Sequence, residues 1–257
     1  MKCDLKKKFA EREVTLGTWV TIGHPDVPDL LEELGFDWFV FDTEHAPLGR
    51  ETVSRMIQAV DERRVCPIVR VGATDQYLIK SALDMGAHGV VCPLVNSREE
   101  ATLAARFVKY PPDGVRGVAP RKAADYGLTF KDYLRTANAM TILVAQIETE
   151  EALDNLDEIL SVKEVDVAFV GPTDLTVSLG LMDDRSHPRV IEAMKKVVAS
   201  CESRGKVPGV LAASPEEARR AVAMGFRFIG LGSDTRFITG GAAAFLDAAR
   251  QSRPRAP

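Results

Sequence analysis

Short runs of consecutive hydrophobic residues recur along the whole chain, and most of them lack the alternating pattern of a half-buried strand. Continuous hydrophobic runs of this length are typical of strands that are buried on both faces of a parallel sheet. We therefore predict eight strands, at residues 16–21, 38–42, 67–71, 89–93, 142–148, 165–170, 208–212 and 228–232.

Amphipathic segments separate these strands and carry the start and stop signals of helices. Ser97 and Glu100 form a capping-box pattern, and Pro188 suits a first helical turn. Glycine at positions 35, 86 and 225 can adopt the left-handed conformation that ends a helix. We predict helices at residues 28–34, 76–85, 97–108, 149–160, 188–204 and 214–225.

The alternation of strands and helices predicts the fold class. About eight β/α units in 257 residues match the length and order of a TIM (β/α)8 barrel. We predict a single α/β domain over residues 1–257, with a frayed tail at about 252–257. A doubly wound open sheet is the alternative.

Two segments are longer than a minimal barrel requires. Residues 110–132 are rich in proline and glycine and follow the fourth unit, and residues 180–188 form a polar excursion beyond the sixth strand. Because long connections in a compact domain usually have a function, we predict that residues 110–132 form a lid or binding loop.

Charge and hydrophobicity exclude several classes of protein. Lys and Arg total 33 against 37 Asp and Glu, so no basic surface dominates, and we expect no nucleic-acid partner. No uninterrupted apolar run approaches the roughly 18 residues that a membrane-spanning helix requires. The first residues also lack a signal-peptide pattern. We expect a cytoplasmic protein without a membrane partner.

Cysteine usage fits the same compartment. Cys3, Cys66, Cys92 and Cys201 are widely scattered, with no CxxC pair. We expect small buried hydrophobic residues at Cys66 and Cys92, and neither a disulfide framework nor a thiolate metal site. His88 precedes the fourth strand, and we expect it to be structural.

Polar side chains follow several predicted strands at the point where each strand ends. In a parallel barrel these ends meet at one mouth, where ligands bind. The residues are Asp42, Glu44 and His45 after the second strand, Arg70 after the third, Gln146 and Glu148 on the fifth, and Gly171, Pro172, Thr173 and Asp174 after the sixth.

Glu148 and Asp174 form a candidate metal site. Their separation of 26 residues equals one helix plus one strand, which places both carboxylates at one level on neighbouring strands. Two carboxylates that leave room for water and substrate oxygens suit Mg²⁺ or Mn²⁺. The alternative is that each carboxylate caps the helix or turn that follows it.

Arg70 and His45 are further candidates for chemistry. Arg70 ends a buried strand, and its guanidinium suits a substrate carboxylate or, alternatively, an internal ion pair with Asp42 or Glu44. His45 beside Asp42 or Glu44 suits a carboxylate-oriented imidazole that acts as general acid or base. The alternative is a structural turn in which Asp42 caps the next helix.

Five sequence motifs resemble one known family. They are FDTEHAP at 41–47, VRV at 69–71, YPPDGVRGV at 110–118, QIET at 146–149 and GPTDL at 171–175. In order and spacing they are similar to the metal-dependent pyruvate aldolases of the HpcH/HpaI family, which are 4-hydroxy-2-oxoheptanedioate aldolase-like members of the phosphoenolpyruvate/pyruvate superfamily. The resemblance extends from about residue 16 to residue 237.

The resemblance implies an assembly and an activity. The assembly is a hexamer of TIM barrels that exchange the C-terminal helix between subunits. The activity is the reversible cleavage of a 4-hydroxy-2-oxo acid into pyruvate and an aldehyde. Glu148 and Asp174 would hold a divalent metal ion (Mg, Mn or Co), and Arg70 would hold the pyruvyl oxygens.

The resemblance also implies roles for other residues. Those bordering the pyruvate would be Gln146, Gly171, Pro172 and Thr173. His45, oriented by Asp42, would handle protons, and Asp84 would lie near the adjoining subunit's site. Thr43 stands where the family usually has glycine, and residues 121–127 resemble only some members, which leaves the aldehyde specificity open.

Two other functions stay open at this point. A citrate-lyase-type or malyl-CoA-lyase-type enzyme uses a related barrel and metal, but it should need a surface for coenzyme A and usually a longer chain. In a non-catalytic carboxylate-binding barrel, some of the polar residues at the mouth should have been replaced. The sequence instead retains Asp42, His45, Arg70, Glu148 and Asp174.

Overall fold

Eight parallel strands form a closed barrel in sequential order in the computed structural model, which describes residues 3–182 and 184–251. The strands are β1 Thr15–Val20, β2 Trp38–Asp42, β3 Cys66–Arg70, β4 Gly89–Cys92, β5 Ile142–Ile147, β6 Val167–Val170, β7 Val207–Ala212 and β8 Phe228–Ser233. The prediction of a TIM barrel is confirmed. The open sheet is excluded because β8 pairs with β1.

Helices follow the strands and cover the outside of the barrel. They are α1 Leu5–Ala10, α2 Asp26–Glu32, α3 Arg50–Gln58, α4 Gln76–Asp84, α5 Arg98–Val108, α6 Phe130–Met140, α7 Glu150–Asp154, α8 Leu156–Leu160, α9 Pro172–Ser178, α10 Pro188–Arg204, α11 Pro215–Met224 and α12 Asp234–Gln251. The predicted helix at 149–160 is divided at Asn155, whose side-chain amide donates to the backbone of Asn96. Gly35, Gly86 and Gly225 have the predicted left-handed conformation.

Aromatic side chains fill the interior of the barrel near its amino end. Trp38 stacks on Phe228 with ring centroids 3.8 Å apart, and Trp19 meets Trp38 edge to face at 5.7 Å. Gly17 makes this packing possible, because a Cβ there would lie 2.0 Å from the Trp38 ring. The barrel is therefore a packed core that leaves only its rims for chemistry.

The long connection at 110–132 starts from the amino end of the barrel. It leaves α5 and includes a 3-10 helix at Lys122–Gly127 before α6 leads into β5. Arg116 is buried within it, 4.5 Å from the centroid of the Tyr110 ring, and it donates to Asp84 at 3.0 Å. This part of the connection thus packs against α4, and its role as a lid or binding loop stays a prediction.

Three residues that are distant in sequence meet at the amino end of the barrel. Cys3 precedes α1, Cys66 begins β3, and His88 immediately precedes β4. We call Cys3, Cys66 and His88 the amino-end cluster; all three are buried, and their ligand atoms lie within 4.8 Å of one another. Scattered cysteines therefore do come together here, contrary to what their spacing suggested.

Two expectations from the sequence concern residues outside 3–182 and 184–251. The predicted frayed tail at 252–257 and residue 183 of the polar excursion lie outside the described residues. Within residues 3–182 and 184–251, none of the helices has the length and apolar character required to cross a membrane.

Candidate active site

The strands deliver the predicted site residues to one mouth because they all run in the same direction. Asp42 and Arg70 are register partners at the ends of β2 and β3. Gln146 lies near the end of β5 and Glu148 just beyond it, while Gly171 follows β6 directly. The ends of four strands therefore supply this mouth.

Arg70 is held by a two-point ion pair with Asp42. Its Nε and Nη2 donate to the two carboxylate oxygens of Asp42 at 3.0 and 2.6 Å. Burial raises the pKa of the Asp42 carboxyl, but the hydrogen bonds and charge of Arg70 outweigh it, so the pKa is lowered. The internal ion pair considered from the sequence is present, and it involves Nε and Nη2.

Glu44 faces the third nitrogen of the same guanidinium. Glu44 Oε2 lies 3.2 Å from Arg70 Nη1, yet this buried oxygen has no hydrogen-bond partner among the described residues. Burial raises the pKa of the Glu44 carboxyl, and the charges of Glu148 and Asp42 act in the same direction, against that of Arg70. A buried carboxylate oxygen without a donor is suited to receive a cation or a ligand proton.

His45 is positioned differently from the expectation that Asp42 orients its imidazole. The side chain is 66% exposed, and its Nε2 lies 3.8 Å from Oε2 of Glu44. Asp42 Oδ1 instead accepts the backbone N–H groups of Glu44 and His45 at 3.0 and 3.2 Å. Because these donors and Arg70 occupy Asp42, Glu44 is the carboxylate that faces the imidazole.

Glu148 is fixed by donors to both of its carboxylate oxygens. Oε1 accepts the backbone N–H of Leu94 at 2.9 Å, and Oε2 accepts the side-chain amide of Gln146. Leu94 has a φ of +50°, an uncommon conformation for a residue with a side chain. Burial raises the pKa of the Glu148 carboxyl, and the charge of Asp174 adds to this effect.

The turn after β6 lies against Glu148. A Cβ at Gly171 would lie 2.9 Å from Glu148 Oε2, so glycine permits this close approach. Pro172 is buried, whereas Thr173 and Asp174 are exposed in the first turn of α9, and Thr173 Oγ1 accepts from Arg185.

Helix capping does not explain the two metal candidates. Thr149 caps α7, with its hydroxyl accepting the N–H of Ala152 at 3.0 Å, and Gly171 occupies the N-cap position of α9. Neither Glu148 nor Asp174 therefore occupies an N-cap position, and Asp174 lies in the first turn of α9.

Asp84 lies away from this mouth within the chain. It ends α4, a helix that starts at the carboxyl end of β3 and runs toward the amino end of the barrel. There it accepts a hydrogen bond from Arg116 at 3.0 Å.

Sequence reasoning assigned no role to two residues that shape the mouth, and it named Glu44 only beside Asp42, as a possible partner of Arg70 or His45. Trp19, whose ring centroid lies 6.0 Å from the Arg70 guanidinium, was visible only as part of a strand. Leu94 acts through its backbone N–H, and its side chain carries no signal for this.

The mouth concentrates negative charge around one guanidinium. The carboxylates of Asp42 and Glu44 contact Arg70, and Glu148 interacts electrostatically with Glu44, Asp174 and Arg70. Carboxylates crowded in this way, two of them with raised pKa values, are stabilised by a bound cation. The molecule is thus a TIM barrel with an acidic mouth built around one guanidinium.

Comparison with known proteins identifies the family. The sequence profile of the HpcH/HpaI aldolase/citrate lyase family matches residues 15–239, and the chain belongs to this family. The 5-keto-4-deoxy-D-glucarate aldolase of Escherichia coli (strain K12) is 36% identical over 229 residues, which cover 89% of this chain and 90% of that protein. The chain is thus an enzyme of the carbon–carbon lyase class.

Solved structures agree with this assignment. An HpcH/HpaI aldolase/citrate lyase family protein from Burkholderia cenocepacia J2315 superposes with a TM-score of 0.92 at 33% identity, covering 96% of this chain and 99% of that one. The citrate synthase SbnG has a TM-score of 0.87 at 28% identity, covering 96% and 97%. The same barrel therefore occurs in proteins with different names and reactions.

Proposed function

We propose that the enzyme catalyses the reversible aldol cleavage of a 4-hydroxy-2-oxo acid into pyruvate and an aldehyde. One observation carries the proposal. The guanidinium of Arg70, which Asp42 holds in place, lies at the same mouth as the neighbouring carboxylates of Glu148 and Asp174. Pyruvate presents a carboxylate and a keto oxygen, and its enolate concentrates negative charge on the latter. The proposed substrate class therefore needs several positive partners close together.

A divalent cation fits the residues at this mouth. Glu148 carries a raised pKa because of burial and the charge of Asp174, and Glu44 Oε2 and Gln146 Oε1 are buried without hydrogen-bond partners among the described residues. All four groups are oxygen donors, which suit Mg²⁺, Mn²⁺ or Co²⁺. We propose Glu148 and Asp174 as the metal ligands. The bound cation would supply Lewis-acid stabilisation of an enolate oxygen.

Arg70 would bind the substrate with the donors that Asp42 does not use. A guanidinium has five N–H donors, and the ion pair with Asp42 occupies Nε and one donor of Nη2. Among the described residues, Nη1 makes no hydrogen bond of normal geometry, although Glu44 Oε2 lies 3.2 Å away. In this proposal Asp42 is a positioning residue, while Gln146 and the backbone of residues 171–173 border the pyruvyl group.

His45 is the proposed proton carrier. Its imidazole is exposed at the mouth, where an incoming substrate can reach it, and it faces Glu44. A neighbouring carboxylate stabilises the imidazolium that forms when a base accepts a proton. His45 would accept the proton of the substrate hydroxyl during cleavage and return it during condensation.

The C-terminal helix supports the proposed assembly. The side chains of residues 235–250 of α12 are exposed, including Ile238 at 57% and Phe245 at 83%. An apolar groove of about 690 Å³ beside it is lined by residues including Phe36, Val222 and Phe237. We propose that α12 packs onto a second copy within a hexamer, and that this assembly brings Asp84 of one subunit near the mouth of another.

An activity assay tests the function. The first substrates are 5-keto-4-deoxy-D-glucarate, which the Escherichia coli relative is named for, and a panel of short aldehydes offered with pyruvate. We expect turnover with added Mg²⁺, Mn²⁺ or Co²⁺ and its loss in EDTA. Undiminished turnover in chelator would overturn the metal role, and cleavage of acyl-coenzyme A substrates alone would favour the related lyases instead.

The assembly is tested separately. Native mass spectrometry should show a hexamer, and Phe245→Asp should dissociate it, whereas a surface change on another helix, Lys195→Asp, should leave it intact. A monomeric wild-type protein would contradict the exchanged helix.

A further inference from the structure

The amino-end cluster is a second constellation of metal-binding side chains, separate from the mouth by the length of the barrel. Cys3, Cys66 and His88 are the one trio of His, Cys, Asp or Glu in the described residues whose ligand atoms all lie within 4.8 Å of one another. Cys66 begins β3 and His88 precedes β4, so both belong to the rim opposite the strand ends that carry Asp42 and Arg70.

His88 is arranged as a metal-binding histidine usually is. Its Nε2 lies 2.6 Å from Oε2 of Glu62, and the ring is buried. Its Nδ1 is buried without a hydrogen bond of normal geometry among the described residues, although it is close enough to Cys3 to interact with it. A carboxylate that holds one imidazole nitrogen leaves the other nitrogen, and its lone pair, for a metal ion.

The two sulfur atoms complete a ligand set. Both cysteines are free and buried. Sulfur ligands 2.3 Å from a tetrahedral zinc ion are about 3.8 Å apart, which the spacing of this trio accommodates. A set of two thiolates and one imidazole favours zinc over the hard cations that suit the mouth. A fourth position would remain for water.

We propose that the amino-end cluster binds a zinc ion through Cys3 Sγ, Cys66 Sγ and His88 Nδ1. Glu62 is then a positioning residue that acts through His88. The ion connects the N-terminal segment to the barrel, where α1 already packs through Phe9 against Phe228, with ring centroids 6.0 Å apart. Zinc binding should therefore stabilise the fold without taking part in reactions at the mouth.

The test uses the full-length protein, purified with reductant and freed of metal by a chelator. One equivalent of Co²⁺, used as a probe for zinc, should give thiolate-to-cobalt charge-transfer bands and the intense visible bands of a tetrahedral ion. Zinc should displace the cobalt, remove the bands and raise the midpoint of thermal unfolding.

Variants locate the binding site. Cys3→Ser and His88→Gln should lose the cobalt bands and most of the bound zinc, whereas Cys201→Ser, which changes a buried cysteine elsewhere, should keep both. Glu62→Gln should weaken the affinity about 10- to 100-fold. Glu148→Gln should keep the bands, which separates this ion from the one proposed at the mouth. Circular dichroism confirms that each variant is folded.

Two results would overturn the proposal. One is a folded, reduced wild-type protein that shows no thiolate-to-cobalt bands under saturating Co²⁺. The other is a protein whose Cys3 and Cys66 form a disulfide that persists in reductant, seen as the absence of these two thiols in a labelling assay.

Discussion

The two rims of this barrel bring residues together by the same geometry but offer different chemistry. At the carboxyl end, the carboxylates of Asp42 and Glu44 contact Arg70, and Glu148 interacts electrostatically with Glu44, Asp174 and Arg70. At the amino end, two thiols and an imidazole lie buried within 4.8 Å of one another. Parallel strands thus bring polar groups together at both rims. The side-chain types favour a hard cation at the oxygen-rich mouth and a soft cation at the amino-end cluster, as proposed above.

The largest expected effect separates the two rims by activity. Glu148→Gln removes the charge of a proposed metal ligand, and we expect a loss of kcat/KM of about a thousandfold, because Lewis-acid stabilisation contributes several kcal/mol. Glu151→Gln, an exposed acid on α7, should be neutral in the same aldol assay. If Cys3→Ser lost as much activity as Glu148→Gln, the two rims would not be functionally separate.

The next effect concerns Arg70. Arg70→Lys keeps the charge but loses the planar fork that satisfies Asp42 at two points. We expect kcat/KM for pyruvate addition to fall about 10²- to 10³-fold, as for the removal of a donor to a developing oxyanion. Arg135→Lys, at an exposed arginine on α6, is the matched control and should leave the kinetics unchanged. Near-normal kinetics in Arg70→Lys would mean that a point charge is sufficient.

A smaller effect tests how closely the mouth is packed. A Cβ at Gly171 would lie 2.9 Å from Oε2 of Glu148, so Gly171→Ala should displace the carboxylate and reduce activity about 10- to 100-fold. Gly49→Ala is the control, since a Cβ there meets nothing within 4 Å. Steady-state kinetics at several metal concentrations would show the loss as a raised metal requirement. An unchanged metal requirement in Gly171→Ala contradicts the account.

The smallest effect appears in stability. The raised pKa of Glu148 means that the metal-free folded state holds this proton more tightly than the unfolded chain does. The resulting penalty is absent below the unfolded pKa and grows as the pH rises through the folded pKa. Metal-free Glu148→Gln should therefore be more stable than wild type at neutral pH, with the difference vanishing in acid. Thermal unfolding of both metal-free proteins at several pH values measures this difference in stability. A difference that does not change with pH would show that the raised pKa of Glu148 is not its cause.

Most of the scaffold follows from the sequence because burial on both faces gives strands a continuous hydrophobic pattern. Every predicted strand boundary lies within two residues of the observed one. Helices α1, α3, α6 and α9 were not predicted, and a C-terminal helix was expected only from the family resemblance, without bounds; it is α12. This helix contains Gly240 and Gly241 and buries little of its surface, so it lacks the usual pattern of a core-facing helix.

The sites were predictable only where local sequence carries the signal. Strand ends indicated Asp42, Arg70, Glu148 and Asp174 because parallel strands share one rim. The choice of Glu44 over Asp42 as neighbour of the His45 imidazole depends on how Arg70 occupies Asp42, which is a tertiary contact. The amino-end cluster joins positions 3, 66 and 88, and no short motif relates them.

The most direct test of the central claim is the exchange of pyruvate methyl protons for deuterium in heavy water, followed by proton NMR without an aldehyde. We predict exchange by the wild-type enzyme with Mg²⁺ or Mn²⁺, its loss in EDTA, its return when metal is restored, and its absence in Glu148→Gln. Exchange that continues at the same rate in chelator, or in Glu148→Gln, would contradict a cation held at the mouth as the basis of the reaction.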